Sequence, residues 1–342
     1  MTIFFYLFLY LLFLDDINSL FSGLNMLIRF SAILLFYLFF IDFVKKENLK
    51  YLFNIANFSF SFLVLNIFLG TLGFGYGMYG GDSENAIGTR GFIFAGNEIG
   101  GAILTSGAII MFKLIEEDSY LKFFIFGIVL IAMGGLLASK VSILGAIILF
   151  FFFPLLKAFK NFKNFKIPKK DFIYANLMLL SVPIISAYGI YYVLYESNLI
   201  NRLSYFYEKL DFVTFIFSSR NIWAEEAINV FSNTYSIINI FFGTGVEWFK
   251  YISGNKLVEI DPIDFLMNYG VIGFSIVFGT IFYIIFTVIK NNNPYSIYIT
   301  FTIFLLLAIS SMGGHILASG TSGFLIALLM ALGKYDVRKD KI

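Results

Sequence analysis

The chain has 342 residues and a formal net charge of +2, with 59% hydrophobic and only 13% charged residues. A soluble globular domain carries roughly 45–50% apolar and about 25% charged residues, so this composition excludes an ordinary soluble fold and indicates a membrane protein. The sequence has no cysteine and one histidine, which excludes disulfides, thiolate chemistry and the usual His/Cys zinc site.

Ten apolar segments are candidate membrane spans, since a span needs about 20 apolar residues. They are 2–14, 27–44, 51–70, 97–114, 122–138, 141–156, 172–195, 264–289, 295–312 and 318–333. The first is short, and we favour a partial span or the stub of a longer N-terminal region. It lacks the basic region and cleavage site of a signal peptide. The sequence therefore predicts an all-α, polytopic transmembrane bundle of about ten spans, a single integral membrane domain over 1–342.

The distribution of charge predicts the orientation of this bundle. With the N-terminus inside, the inner loops hold 16 of the 24 Lys and Arg, and the outer segments hold 14 of the 22 Asp and Glu. We therefore predict a multi-pass protein of the cytoplasmic (inner) membrane with both termini in the cytoplasm. The lysine run over 157–170 is interpreted as an orientation signal that touches membrane lipid headgroups, and no nucleic-acid partner is expected.

Two outer loops, 71–96 and 196–263, are too long to be simple turns. The second is rich in aromatic residues, which favours ordered short helices such as Trp223–Phe231 over disorder. An ordered extracytoplasmic cap over the bundle predicts that the protein acts at its outer face.

Two patterns in these loops resemble ligand sites, but a simpler interpretation is favoured for each. Gly75–Gly80 matches G-x-G-x-x-G, yet it follows no strand of a βαβ unit, so we expect a hinge or a tight turn. The acid pairs Asp82/Glu84 and Glu259/Asp261 have a spacing seen in divalent-ion sites, but exposed acids in outer loops are usually only solvated.

Three basic residues on the outer side are candidates for binding a phosphate group. Arg90 precedes a span, Lys140 lies between two closely spaced spans, and Arg220 lies in the large loop. Snorkelling or contact with lipid headgroups is the alternative for each. Together they form a candidate cationic pocket for a diphosphate, because the planar fork of arginine binds phosphate oxygens in pairs.

Two acids and the single histidine are candidates for proton transfer. Asp261 and Asp264 open a predicted span, where Asp261 also suits a helix cap followed by proline. His315 lies in the outer hairpin of the last two spans and is a candidate base. A hydrogen-bonded structural role for His315 is the alternative.

The order of these motifs resembles the O-antigen polymerase and O-antigen ligase superfamily, the Wzy-type polysaccharide polymerases. The motifs that carry the resemblance are Arg90–Asn97, Ser139-Lys140, Arg220–Trp223 with Phe241–Gly245, Asp261–Gly273, and Gly314-His315 with the small residues to Ser322. Lys140 stands where arginine is usual. The ligases have His-Asn before the re-entering span, where this chain has acids, so the polymerase is favoured and the identity of the base stays open.

The resemblance implies a GT-C-like glycosyltransferase that uses a polyprenyl-diphosphate-linked glycan and needs no metal or other cofactor. It would polymerise lipid-linked repeat units into an O-antigen, capsule or exopolysaccharide. The implied catalytic residues are Arg220, Asp261, Asp264 and His315, and the implied substrate-binding residues are Arg90, Asn97, Lys140 and Trp223. A flippase and a chain-length regulator are candidate protein partners.

Three alternatives remain open. An O-antigen-type ligase or a teichoic-acid-type transferase would share the fold. A flippase or transporter for lipid-linked oligosaccharides is disfavoured, because the sequence has no internal repeat and almost no charge at mid-depth of its spans. A structural scaffold would leave the ordered loop and its arginines unexplained.

Overall fold

The computed structural model describes residues 17–45, 49–79, 87–93, 95–163, 173–174, 211–246, 249–250, 257–291, 293–312, 314–317 and 319–335. It is mostly helical. The described helices, in chain order, are α1 (Ile17–Lys45), α2 (Leu49–Thr71), α3 (Gly96–Glu116), α4 (Tyr120–Leu136), α5 (Lys140–Lys163), α6 (Phe212–Phe217), α7 (Arg220–Thr234), α8 (Ile237–Phe242), α9 (Asp261–Lys290), α10 (Ser296–Met312) and α11 (Gly320–Leu332). The predicted segment 2–14 and nearly all of 172–195 lie outside the described residues.

Four of the described helices are long and apolar enough to cross a membrane. They are α2, α3, α5 over Lys140–Asn161, and α9. Shorter apolar helices cover Ser31–Val44, α4, α10 and α11. These helices support a multi-pass membrane protein, and the total of about ten spans stays a prediction.

Helix α3 lies at the centre of the described bundle and is buried along most of its length. Glycines let its neighbours approach closely. A Cβ on Gly100 would lie 2.3 Å from the Ser142 hydroxyl of α5, and a Cβ on Gly107 would lie 2.7 Å from Leu130 of α4. Small residues favour such close packing between membrane helices, where dispersion contacts replace the hydrophobic effect.

A two-stranded antiparallel hairpin precedes α3, and it corrects the all-α prediction. Strands β1 (Tyr76–Tyr79) and β2 (Ile87–Gly91) pair where a hinge or turn was expected at Gly75–Gly80. The buried Asn66 of α2 donates to the Arg90 carbonyl at 2.9 Å and accepts from the Phe92 amide at 2.9 Å. The hairpin is therefore fastened to α2 by a polar side chain that hydrocarbon could not satisfy.

The short helices α6, α7 and α8 form part of the predicted large loop, and α7 contains the predicted helix Trp223–Phe231. A small apolar cluster connects α7 and α8 to the start of α9. Its buried members are Ala227, Tyr235, Phe249, Val258, Ile260 and Met267.

Helix α9 is broken at Gly270, which has φ 65° and ψ −175°. A break frees carbonyl oxygens that need other donors. The amides of Thr244 and Gly245 donate to the carbonyls of Met267 and Asn268 at 3.3 and 3.1 Å. A side chain at Gly270 would lie 2.4 Å from the Phe241 backbone. The large loop therefore completes the broken helix, and glycine is required where the two backbones touch.

Candidate functional site

The site is built around the carboxylate of Asp261, which is fully buried. It accepts hydrogen bonds from the amides of Ile316 and Leu317 at 2.9 and 2.7 Å, and its other oxygen lies 3.0 Å from His315 Nδ1. Ile260 is the N-cap of α9, and no side chain caps this helix end. The capping interpretation of Asp261 is therefore wrong, because its carboxylate holds the loop that precedes α11.

His315 lies between two carboxylates. Its Nδ1 is bonded to Asp261, its Nε2 lies 3.9 Å from Asp264 Oδ2, and 27% of the side chain is exposed. Burial lowers the pKa of His315, but the hydrogen bond to Asp261 and the negative charges of Asp261, Asp264 and Glu259 outweigh it. The pKa is therefore raised above the ordinary value. His315 is both held in place and available through its second nitrogen.

Asp264 is fully buried one helical turn after Asp261. Its Oδ1 accepts a hydrogen bond from the Val258 amide at 2.9 Å. Its Oδ2 has no hydrogen-bond partner among the described residues and faces His315. An unsatisfied buried oxygen is uncommon in folded proteins, and beside a histidine it indicates a place where a hydroxyl or a water is received.

Arg220 opens α7 and points towards the start of α9. The turn before it is tight, since Ser218 and Ser219 both have left-handed backbones with φ of 53° and 68°. Arg220 Nη2 lies 2.6 Å from Glu259 Oε2, and the side chain is 16% exposed. Its Nε is buried and makes no hydrogen bond within the described residues.

Glu259 is a residue of this site that sequence reasoning missed. Its spacing from Asp261 was noticed, but a solvated acid was expected. Instead its carboxylate pairs with Arg220, and its carbonyl accepts from the Gly314 amide at 3.0 Å. A contact between residues 39 positions apart has no signal in a single sequence.

Asn97 packs on the other side of the His315 loop. A Cβ on Gly314, which has φ 91°, would lie 2.4 Å from Asn97 Nδ2. The neighbouring Glu98 was also missed, and it accepts a hydrogen bond from Ser319 Oγ at 2.7 Å. The loop that carries His315 therefore lies between the first turn of α3, which holds Asn97, and the cluster of Arg220, Asp261 and Asp264.

Arg90 and Lys140 lie on a neighbouring pair of elements. Arg90 is in β2, with its guanidinium 5.5 Å from the ring centre of Tyr76. Lys140 is exposed at the first residue of α5. A Cβ on Gly88 would lie 2.5 Å from the Ala138 side chain, so the hairpin touches the turn before Lys140. The start of α3 lies against both the hairpin and α5, with Gly96 next to Met78 of β1 and Gly100 next to Ser142 of α5.

Trp223 is partly buried against the apolar cluster of the large loop. Its stacking on a sugar ring therefore stays a prediction. Within the described ranges, no three His, Asp or Glu side chains are grouped so as to hold a metal ion.

An open apolar groove runs beside the site between α1, α2, α3 and α11, with a volume of about 680 Å³. Arg29 and Glu98 pair at one end of it, at 3.6 Å. The lining residues are Arg29, Phe36, Phe58, Ser59, Phe62, Leu63, Ile93, Glu98, Gly320, Thr321, Phe324 and Leu325.

The fold and site define a helical membrane protein with a histidine between two buried carboxylates, beside an arginine. Residues 201–339 match the family model described as O-antigen ligase like membrane protein, and this confirms the resemblance to the O-antigen ligase and polymerase superfamily. The match includes Arg220, Glu259, Asp261, Asp264 and His315, whereas Arg90, Asn97 and Lys140 lie before it. No curated protein and no solved structure matches the chain. The family indicates a glycosyl-transferring membrane enzyme of surface polysaccharide assembly that acts on lipid-linked glycans.

Proposed function

We propose that this protein polymerises polyprenyl-diphosphate-linked oligosaccharide units into a surface polysaccharide at the outer face of the cytoplasmic membrane. The observation that carries this proposal is the placement of His315 between Asp261 and Asp264, one backbone contact away from the residue that pairs with Arg220. His315 with its two acids suits proton removal from a hydroxyl, and Arg220 suits an anionic leaving group.

In the proposed reaction, His315 Nε2 takes the proton from a sugar hydroxyl of one lipid-linked unit. The Asp261 carboxylate accepts the hydrogen bond from Nδ1, which fixes the ring and stabilises the imidazolium that forms. The hydroxyl oxygen bonds to the anomeric carbon of the second glycan as the bond from that carbon to the lipid diphosphate breaks. Arg220 stabilises the negative charge on the departing diphosphate, assisted by Arg90 and Lys140.

The groove beside α11 suits the polyprenyl chain of the substrate. Its walls are aromatic and aliphatic, and its volume of about 680 Å³ falls in the range of ligand sites, roughly 300–1,000 Å³. Its polar end leads to the site, because Glu98 pairs with Arg29 and also holds Ser319, four residues after His315. A lipid chain in this groove would leave its diphosphate at the site.

The test is the polymer ladder of cells that lack this protein and are complemented with the wild type, Arg220→Ala or Asp264→Ala at matched membrane abundance. Glu225→Gln is the control, since Glu225 is exposed on α7. We expect long chains from the wild type and the control. From the two site variants we expect single lipid-linked units that accumulate at the outer face.

Two other outcomes would replace the proposal. Single units that accumulate at the inner face would mean that the protein moves glycans across the membrane. Long chains that form normally but are not attached to their final acceptor would mean that it is a ligase.

A further inference from the structure

The ion pair between Arg220 and Glu259 occupies Nη2 of the guanidinium that the proposed function assigns to the diphosphate. The two side chains meet at 2.6 Å between Nη2 and Oε2. Glu259 excludes a phosphate oxygen from Nη2, while Nε makes no hydrogen bond within the described residues. A phosphate that binds the guanidinium through two parallel N–H donors therefore competes with Glu259 for one of them. Glu259 therefore stands where a phosphate oxygen would bind.

The backbone of Glu259 is fixed even though its side chain is not buried. It has φ 58°, a left-handed conformation that a residue other than glycine rarely adopts. Hydrogen bonds hold both sides of it, from the Val258 amide to Asp264 and from the Gly314 amide to the Glu259 carbonyl. The side chain, in contrast, is 43% exposed and can turn into solvent without burying its charge.

We propose that Glu259 is a built-in competitor for the diphosphate of the lipid-linked glycan. Its carboxylate holds Arg220 in the empty site, yields to the diphosphate on binding, and returns to help release the leaving lipid diphosphate. This inference deepens the proposed function and rests on its assignment of Arg220 to the diphosphate. The diphosphate binds only the fraction of molecules in which the Arg220–Glu259 ion pair is open. If the ion pair is closed about nine-tenths of the time, the apparent affinity for the diphosphate falls about tenfold.

A purely positioning role for Glu259 predicts the opposite sign. If Glu259 only aimed Arg220 at its ligand, then removing the carboxylate would weaken anion binding. The direction of the change therefore separates the two roles.

The experiment titrates the purified full-length protein in lipid nanodiscs with inorganic pyrophosphate by calorimetry. Glu259→Gln removes the charge and keeps the shape, so we expect pyrophosphate to bind about three- to tenfold more tightly. Glu259→Asp withdraws the charge by one methylene, and we expect a smaller gain in the same direction. Glu225→Gln removes an exposed acid of α7 and should leave the dissociation constant within about twofold.

Two further arms make the result decisive. Adding Arg220→Ala to Glu259→Gln should abolish the gain, which assigns the gain to this guanidinium. In the polymerisation assay, Glu259→Gln should lower KM and also lower kcat, because the leaving group is released more slowly.

Weaker or unchanged binding in both Glu259 variants would overturn the competitor role, and so would a gain that persists without Arg220. The binding result does not depend on the product made in cells. If Glu259→Gln binds pyrophosphate more tightly as expected, but the wild-type protein forms no polymer in complemented cells, the proposed polymerase is overturned and this inference stands.

Discussion

Two polar clusters lie at opposite ends of α3, about 30 Å apart by the rise of an α-helix. The Asp261 cluster comprises Arg220, Glu259, Asp261, Asp264 and His315, and Asn97 joins it to the start of α3. The Lys160 cluster comprises Glu116, Asp118, Lys157, Lys160 and Tyr298, at the end of α3.

The Lys160 cluster is closed on itself. Lys160 Nζ lies 2.7 Å from Glu116 and donates to the Pro294 carbonyl at 2.9 Å, while the Tyr298 hydroxyl donates to Glu116 at 2.7 Å. Lys157 pairs with Asp118. Lys157 and Lys160 were interpreted as headgroup contacts, and this is corrected, because both are ion-paired to acids at the end of α3.

The Asp261 cluster is not closed. It has three acids for one arginine and one histidine, and both Asp264 Oδ2 and Arg220 Nε make no hydrogen bond in the described part of the chain. Buried polar groups that exist for stability are normally satisfied. The contrast indicates that the Lys160 cluster holds helices together, whereas the Asp261 cluster keeps hydrogen-bonding capacity for a ligand.

The largest expected effect is that of His315→Ala on the rate of chain growth. Loss of a general base typically costs about 10²–10⁴-fold in rate, so we expect a decrease in that range in membrane vesicles supplied with lipid-linked glycan. His315→Ala also leaves the buried Asp261 carboxylate with only the Ile316 and Leu317 amides among the described residues, so we expect a loss of about 1–3 kcal/mol of unfolding free energy. Lys160→Met is the control at the other end of α3. A rate within tenfold of the wild type would show that His315 is a structural residue.

The next effect is a shift of the pH profile by Asp261→Asn. A base works when it is neutral, so the rate rises with pH through the pKa of His315. Asp261 is one of the groups that raise this pKa against the effect of burial. Removing its charge lowers the pKa, so the rise should occur at lower pH, with a maximal rate about 10–100-fold smaller.

The measurement is the initial rate of polymerisation from about pH 5 to 9, the range in which a histidine titrates. Glu225→Gln, which removes an exposed charge, should leave the profile in place. A profile that moves to higher pH, or does not move, would contradict the pairing of Asp261 with His315 as the source of the pH dependence.

Several long apolar helices were predictable from sequence, but the pairing of their ends was not. Apolar runs of about 20 residues predict α2, α3 and α9 to within a few residues, because a bilayer allows little else. Arg220 was singled out because a charged residue at a membrane boundary is costly, and His315 because it is the single histidine of the sequence and a candidate base. Their partners Asp261 and Glu259 depend on contacts across 54 and 39 residues, which no local pattern records.

The hairpin and the broken helix show a second limit of the sequence. Strand β2 has the sequence Ile-Gly-Thr-Arg-Gly, which has little β-propensity of its own, and its strand forms because β1 and Asn66 supply its hydrogen bonds. Gly270 is one of several glycines in an apolar run. Its left-handed φ and the approach of the Phe241 and Gly243 backbones distinguish it, and both are known only from the structure.

A smaller effect, on stability alone, is expected at the Lys160 cluster. Lys160→Met removes the cation and leaves Glu116 with Tyr298 alone among the described residues, which should cost about 1–3 kcal/mol of unfolding free energy. Thermal unfolding in detergent measures this cost. Lys122→Met, at an exposed position of α4, is the matched control. The rate of chain growth should stay within about twofold, and a large loss of rate without loss of stability would break the contrast between the two clusters.

The smallest effect is expected from Tyr235→Phe, next to the break in α9. The Tyr235 hydroxyl donates to the Met267 carbonyl at 3.1 Å and lies 2.9 Å from Thr244 Oγ1. Burial raises the pKa of Tyr235 to about 12, against a lowering by the Thr244 hydrogen bond, so the hydroxyl stays protonated and donates at neutral pH. Losing this bond should cost about 1 kcal/mol.

The change should be local, since the bond joins the large loop to the first half of α9. Hydrogen exchange should therefore quicken over residues 261–270 and stay unchanged in α10 at the Lys160 cluster. Tyr283→Phe, at a side chain exposed on α9, is the control and should alter neither. Exchange that quickens equally at both ends of α3 would mean that the two clusters unfold as one unit. It would contradict the distinction between the Asp261 cluster as a ligand site and the Lys160 cluster as a structural site.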